Sequence, residues 1–142
     1  AGPMLDALTG VALAPADLQA ILTGCVEPLP MAAGGRLHGD GWASIDLAGG
    51  ATLYLRRVGS TWQIRAARRD RWRVDYPAWQ GAFPSTVRLQ SMEAPGVDLT
   101  AELSQVDANV GLDEAAFTVD VPADATPLSI DALRRAGPLQ GR

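Results

Sequence analysis

Apolar positions recur with two different periods along this chain, and the change falls near residue 36. Before it the spacing is helical. Leu18, Ile21 and Leu22 stand at i, i+3 and i+4, which lines one side of a helix over Pro15–Thr23. Pro15 suits the first turn, where its missing N–H leaves no bond unmade. Asp17 lies near the positive end of the helix dipole. Gly24 is placed as a left-handed stop, and Cys25 after it can fold back onto the apolar stripe. A shorter helical signal covers residues 4–8 and ends at Gly10. Residues 26–35, VEPLPMAAGG, are rich in Pro and Gly without periodicity and predict a loop.

From Arg36 the period is two. Trp42–Leu47 predicts a strand, and Ala48-Gly49-Gly50 a turn. Ala51–Val58 returns, with Leu53 and Leu55 alternating against Tyr54 and Arg56. Gly59-Ser60 is a two-residue hairpin signal. Residues 61–68 follow, with Trp62, Ile64 and Ala66 on one face and Gln63, Arg65 and Ala67 on the other. After a turn at Arg69-Asp70, Trp72, Val74 and Tyr76 alternate with Arg71, Arg73 and Asp75. Tyr76-Pro77 is expected to end that strand, with WQGAFP as a connector. Residues 85–92 predict the next strand, and Ala94-Pro95-Gly96 a turn. Val97, Leu99, Ala101 and Leu103 then alternate cleanly with Asp98, Thr100, Glu102 and Ser104. Phe117, Val119 and Val121 mark a last strand, stopped by Pro122, and residues 131–136 a short helix. The expected architecture is α+β: a curved antiparallel sheet of about seven strands over residues 36–122. Helices in 3–24 and 128–136 are its expected cover, since one sheet face is apolar and must be buried.

Composition narrows the function classes. The 142 residues are 47% hydrophobic and 20% charged, a balance of globular rather than disordered chains. The formal net charge of −4 gives no global pull toward nucleic acid, so no nucleic-acid partner is expected. No segment is long and apolar enough to span a bilayer as a helix. One cysteine allows no internal disulfide and fits either redox compartment. Leu22-Thr23-Gly24-Cys25 fits the lipobox at which lipoprotein precursors are cut and acylated. Residues 1–24 contain no Lys or Arg, however, and Asp6, Pro15, Asp17 and Gln19 interrupt the apolar run. A helix stop followed by a free, buried thiol accounts for the stretch better than an anchor.

Catalysis finds little footing. His38 is the sole histidine, in LHGDG, and a Ser–His–Asp reading would need Asp40 or Asp46 with a distant serine and no GxSxG turn. One His and one Cys cannot make a closed zinc site, and LAGGAT joins two strands instead of opening a helix. No enzyme, metal or cofactor is therefore expected. Seven of the twelve arginines (Arg56, Arg57, Arg65, Arg68, Arg69, Arg71 and Arg73) fall within 18 residues, with Trp62 and Trp72 among them. Alternation sets those indoles on the apolar face, away from Arg65, Arg71 and Arg73, so the run reads as a solvated outer face with edge charges against aggregation. The inner face is the stronger lead. Its expected lining is Trp42, Leu53, Leu55, Trp62, Ile64, Trp72, Val74, Tyr76, Val87, Leu89, Leu99, Leu103 and Phe117. Such large side chains under few helices form either a packed core or an apolar cavity.

Two stretches carry a family resemblance. RWRVDYPAWQGAFPSTVRLQS, with Trp72, Val74, Tyr76 and Pro84 through Leu89, resembles the lipoprotein-carrier superfamily of LolA/LolB-like proteins. VDANVGLDEAAFTVDVP is similar to that group's closing element through Asn109, Leu112, Asp113, Phe117 and Pro122. ALTGVALAPADLQAILTG resembles the paired helices of the LolB branch. The resemblance covers most of residues 5–127. It implies a half-open β-barrel with a helical lid over an apolar cavity. It also implies non-enzymatic binding of lipoprotein acyl chains or other lipids in the bacterial cell envelope, in the periplasm or at the periplasmic face of the outer membrane. The superfamily's first helix and strands have no counterpart before Met4, so a fragment is expected, with self-association through an exposed sheet edge. The alternative is an interaction or sensor module with the same fold and a filled core.

Overall fold

The computed structural model describes residues 2–9, 13–25, 31–93, 96–107 and 109–136. Gly10, residues 26–30 of the expected loop and the Ala94-Pro95 turn lie outside them. Seven strands form one antiparallel sheet in strict chain order: β1 (Ala32–His38), β2 (Trp42–Leu47), β3 (Ala51–Val58), β4 (Thr61–Arg69), β5 (Trp72–Gln80), β6 (Phe83–Ser91) and β7 (Asp98–Glu102). Three helices accompany it: α1 (Gly2–Thr9), α2 (Pro15–Thr23) and α3 (Ile130–Ala136). The architecture is α+β. The sheet is curved and does not close into a barrel, so β1 and β7 are its edges.

Tight turns make this order possible. Two residues separate β3 from β4, β4 from β5 and β5 from β6. The first of each pair, Gly59, Asp70 and Gly81, has positive φ (60°, 49° and 62°). Such turns match the twist of antiparallel strands. Three readings change here. Residues 32–35, expected as loop, belong to β1, where Gly34 and Gly35 pair with Asp46 and Ile45. WQGAFP is a hairpin rather than a connector: β5 runs through Pro77 to Gln80, and Gln80 faces Phe83. Pro77 is tolerated because it sits at a bulge, where no ladder N–H is needed. The strand expected at Phe117–Val121 is absent. Glu114–Phe117 is a 3₁₀ turn capped by Asp113, whose side chain accepts the Ala115 N–H at 2.8 Å.

The core lies toward one end of the sheet. Val74 and Tyr76 of β5 and Val87 and Leu89 of β6 are buried together. Leu13, Ile21, Ile64, Ala67, Trp72, Trp79, Val97 and Leu103 pack around them. Helix α2 lies on β6. Helix α1 packs instead against α3, joined by an ion pair of Asp6 with Arg134 at 3.4 Å.

The end of α2 is the tightest joint between helix and sheet. Gly24 is left-handed (φ 67°), and the Cys25 N–H reaches back to the Ala20 carbonyl at 3.2 Å. This is the expected stop. Cys25 itself is exposed, however, and does not fold onto the apolar stripe. Gly24 rests on the sheet: a Cβ there would meet Trp79 at 3.0 Å and Pro84 at 3.3 Å. The Ile21 carbonyl accepts both the Gly24 N–H (3.3 Å) and the Tyr76 hydroxyl (3.1 Å). Gly24→Ala should therefore lower the urea midpoint, with a loss of about 1–2 kcal/mol from left-handed strain alone. Tyr76→Phe should cost about 1 kcal/mol, one hydrogen bond. Unchanged midpoints in both variants would contradict this joint.

Candidate functional site

Cross-strand register sorts the side chains onto two faces. Ala43 pairs with Leu55, Ile45 with Leu53, and Leu89 with Leu99, so these lie on the face that α2 covers. A bulge on β4 sets the phase across the middle of the sheet. Leu55 faces Ile64 and Tyr54 faces Ala66, which leaves Arg65 as the extra residue. Beyond the bulge the alternation is inverted. Ala67, opposite Leu53 and Val74, is inner, and Ala66, opposite Asp75, is outer, the reverse of simple alternation.

Of the thirteen residues expected as lining, the structure gathers eleven on the inner face, Val87 among those buried in the core. Val74, Tyr76 and Leu89 are fully buried in the core. Ile64, Trp72 and Leu103 pack against it. Leu53, Leu55 and Leu99 are half-buried. Trp62, opposite Arg57 at the β3–β4 hairpin, is 45% exposed. Two do not belong there. Trp42 faces Arg56 on β3 and lies on the outer face, because the inward positions of β2 are Ala43, Ile45 and Leu47. Phe117 is 74% exposed, since its segment does not pair as a strand.

The inner face is thus apolar and unevenly covered. Over β5 and β6 it is closed by α2. Over β3 and β4, and at the β1 edge where Leu37 is 79% exposed, large apolar groups remain accessible. Tyr76, with Trp79 at 5.9 Å between ring centroids, marks the border of the closed part. The contact of Gly24 with Trp79 does not follow from a connector at WQGAFP, because it depends on the β5–β6 hairpin that the segment forms. The signal available was Gln80-Gly81-Ala82-Phe83, a glycine-led two-residue turn.

The remaining candidates are separate. The His38 ring meets the Ser44 hydroxyl at 2.9 Å, while Asp46 accepts from Thr52 at 2.8 Å. Among the described residues no group of three or more His, Cys, Asp or Glu could hold a metal ion, and no helix is long and apolar enough to cross a membrane. No protein-family model matches the chain, and no curated protein or solved structure is significantly similar to it.

Burial, and secondly the neighbouring Cys25, push the Tyr76 hydroxyl from its ordinary value of 10.0 up to about 12. Above pH 10 the unfolded chain loses this proton while the folded protein keeps it. The stabilisation is therefore complete below pH 10 and is lost as pH rises through 12. Two pH units correspond to on the order of 2–3 kcal/mol. Urea titrations at pH 9 and pH 12 should show that fall in the wild type and a smaller one in Tyr76→Phe. Equal falls in both proteins would refute the assignment to Tyr76.

Proposed function

We propose that the open part of the inner face binds acyl chains, so that the protein acts without catalysis as a lipid or lipoprotein carrier of the cell envelope. One observation supports this best. Leu53, Leu55, Ile64 and Trp62 form a continuous apolar strip on neighbouring strands that α2 leaves accessible. An exposed apolar patch on a folded chain marks an interaction site. A flexible hydrocarbon fits such a strip because burial is non-directional and needs no polar partner. The resemblance of Trp72–Leu89 and of the residues around Asn109–Pro122 to lipoprotein carriers points the same way. The face is an open surface rather than an enclosed pocket, so the bound chain would complete the hydrophobic layer itself.

A second reading has its own observation. Every residue of β1 is exposed, and its outer backbone edge has no neighbouring strand in the sheet order. Such edges pair readily with another chain. Under this reading the chain is an interaction module that self-associates through β1.

Each methylene buried contributes about 0.8 kcal/mol. Ten of them, less the cost of association, support affinity on the order of micromolar. Calorimetry with saturated fatty acids should show affinity rising with chain length. Leu53→Asp or Leu55→Asp should abolish binding, with folding verified by circular dichroism, and Arg73→Gln on the outer face should change little. Binding independent of length, or none to a folded sample, would exclude the carrier.

For the second reading, sedimentation equilibrium should show a dimer that Leu37→Lys converts to monomer. A strict monomer at high concentration would exclude strand pairing through β1.

A further inference from the structure

We propose that the outer face carries an oxyanion site, formed by Trp42, Arg56 and Arg65 and fitted to a phosphate group. It lies on the opposite side of the sheet from the apolar strip and does not depend on the carrier reading.

Trp42 falls on the outer face of the sheet, opposite Arg56. The expected separation of indoles from arginines does not hold: the Arg71 guanidinium lies over the Trp72 ring, 5.9 Å from its centroid, Trp62 pairs with Arg57, and Trp42 shares the outer face with Arg56. The Arg56 guanidinium lies over the Trp42 ring, 5.4 Å from the centroid. Stacking fixes the plane of a guanidinium while its edge N–H groups stay free to donate. The bulge on β4 supplies the second cation. It sets Arg65 into the same depression, of about 470 Å³, with Trp42, Arg56, Asp75, Tyr76 and Pro77. There, among the described residues, the Arg65 side chain makes one hydrogen bond, from Nη1 to the Pro77 carbonyl at 3.4 Å, and its buried Nε has no acceptor. A buried donor without a partner is costly, and a small adjustment of the side chain toward a bound anion would relieve that cost.

Charge decides the ligand class. Arg71, Arg73 and Arg88 each have a carboxylate partner, respectively Glu93, Asp75 and Asp98. Among the described residues no acid lies within ion-pairing distance of Arg56 or Arg65. The one acid in the depression, Asp75, already accepts both Nε and Nη2 of Arg73, at 3.0 and 2.9 Å. The depression therefore keeps two cations whose charge no side chain offsets. Two guanidinium groups lining one depression offer several N–H donors, which suits a phosphate with its multiple acceptor oxygens and its charge of up to two. Free phosphate and the phosphate of an anionic lipid headgroup share this chemistry.

Two probes distinguish them: inorganic phosphate at constant ionic strength, and phosphatidylglycerol vesicles compared with phosphatidylcholine vesicles. The readouts are the Nε–Hε NMR signals of Arg56 and Arg65 and the indole signal of Trp42. A saturable shift confined to these groups is expected, with affinity weakened about ten-fold or more in Arg65→Gln and in Arg56→Gln. Arg88→Gln, on the same face but paired with Asp98, should bind as the wild type. Arg56 is exposed, so its variant remains informative if Arg65→Gln does not fold. A response to phosphate identifies a soluble ligand, and a response only to phosphatidylglycerol identifies a headgroup. No saturable shift with either probe, or equal affinity in wild type and both glutamine variants, overturns the site. So does a response to an oligonucleotide alone.

Discussion

Everything on the inner face depends on how one carbonyl is satisfied. The last carbonyls of a helix have no partner within it. In α2 the Ile21 carbonyl takes the Gly24 N–H from its own chain and the Tyr76 hydroxyl from the sheet. The same few residues bring Gly24 against Trp79 and Pro84, so closely that any side chain at 24 would press on the indole. Hydrogen bonding and packing thus seat α2 at one location, over β5 and β6. The buried cluster of Val74, Tyr76, Val87 and Leu89 forms beneath it. A nine-residue helix cannot also cover β3 and β4. The division of the inner face into a closed half and an open half follows from that.

The second constraint is the bulge at Arg65. A strand that kept strict alternation would put Ile64 and Ala66 on the same face throughout. The extra residue lets Ile64 and Ala67 both face inward and pushes Arg65 outward beside Arg56 and Trp42. A second irregularity on β5, between Asp75 and Ala78, makes room for Pro77 and brings its carbonyl to Arg65. One pair of bulges therefore keeps the apolar strip continuous and concentrates cations on the other side.

The sheet was legible in the sequence where alternation and turn chemistry agreed. Leu53 against Tyr54, Gly59-Ser60, and Leu99 and Leu103 against Asp98 and Thr100 all spoke for the strands found. The stop at Gly24 was legible too, because a glycine after an apolar stripe has a single simple use. Residues 32–35 were not, since two alanines and two glycines carry no alternation. Pro77 and Pro84 hid the β5–β6 hairpin, as proline normally argues against a paired strand. Phe117, Val119 and Val121 alternate as a strand does, yet pattern alone supplies no neighbour to pair with. Trp42 was assigned inward by alternation, but the alternation of its own strand sets Ala43, Ile45 and Leu47 against Trp42, Ser44 and Asp46, and Ala43 is the inward residue. The Arg65 bulge leaves no mark at all, since nothing in an arginine announces an extra residue.

The central claim is that an acyl chain lies on the half of the inner face that α2 does not cover. Methyl NMR on protein labelled at Leu, Ile and Val, titrated with a long-chain fatty acid, tests it most directly. The account predicts saturable shifts at Leu53, Leu55 and Ile64 and little change at Val87 and Leu89, which α2 already covers. Shifts led by Val87 and Leu89, or none at Leu53, Leu55 and Ile64, would contradict it.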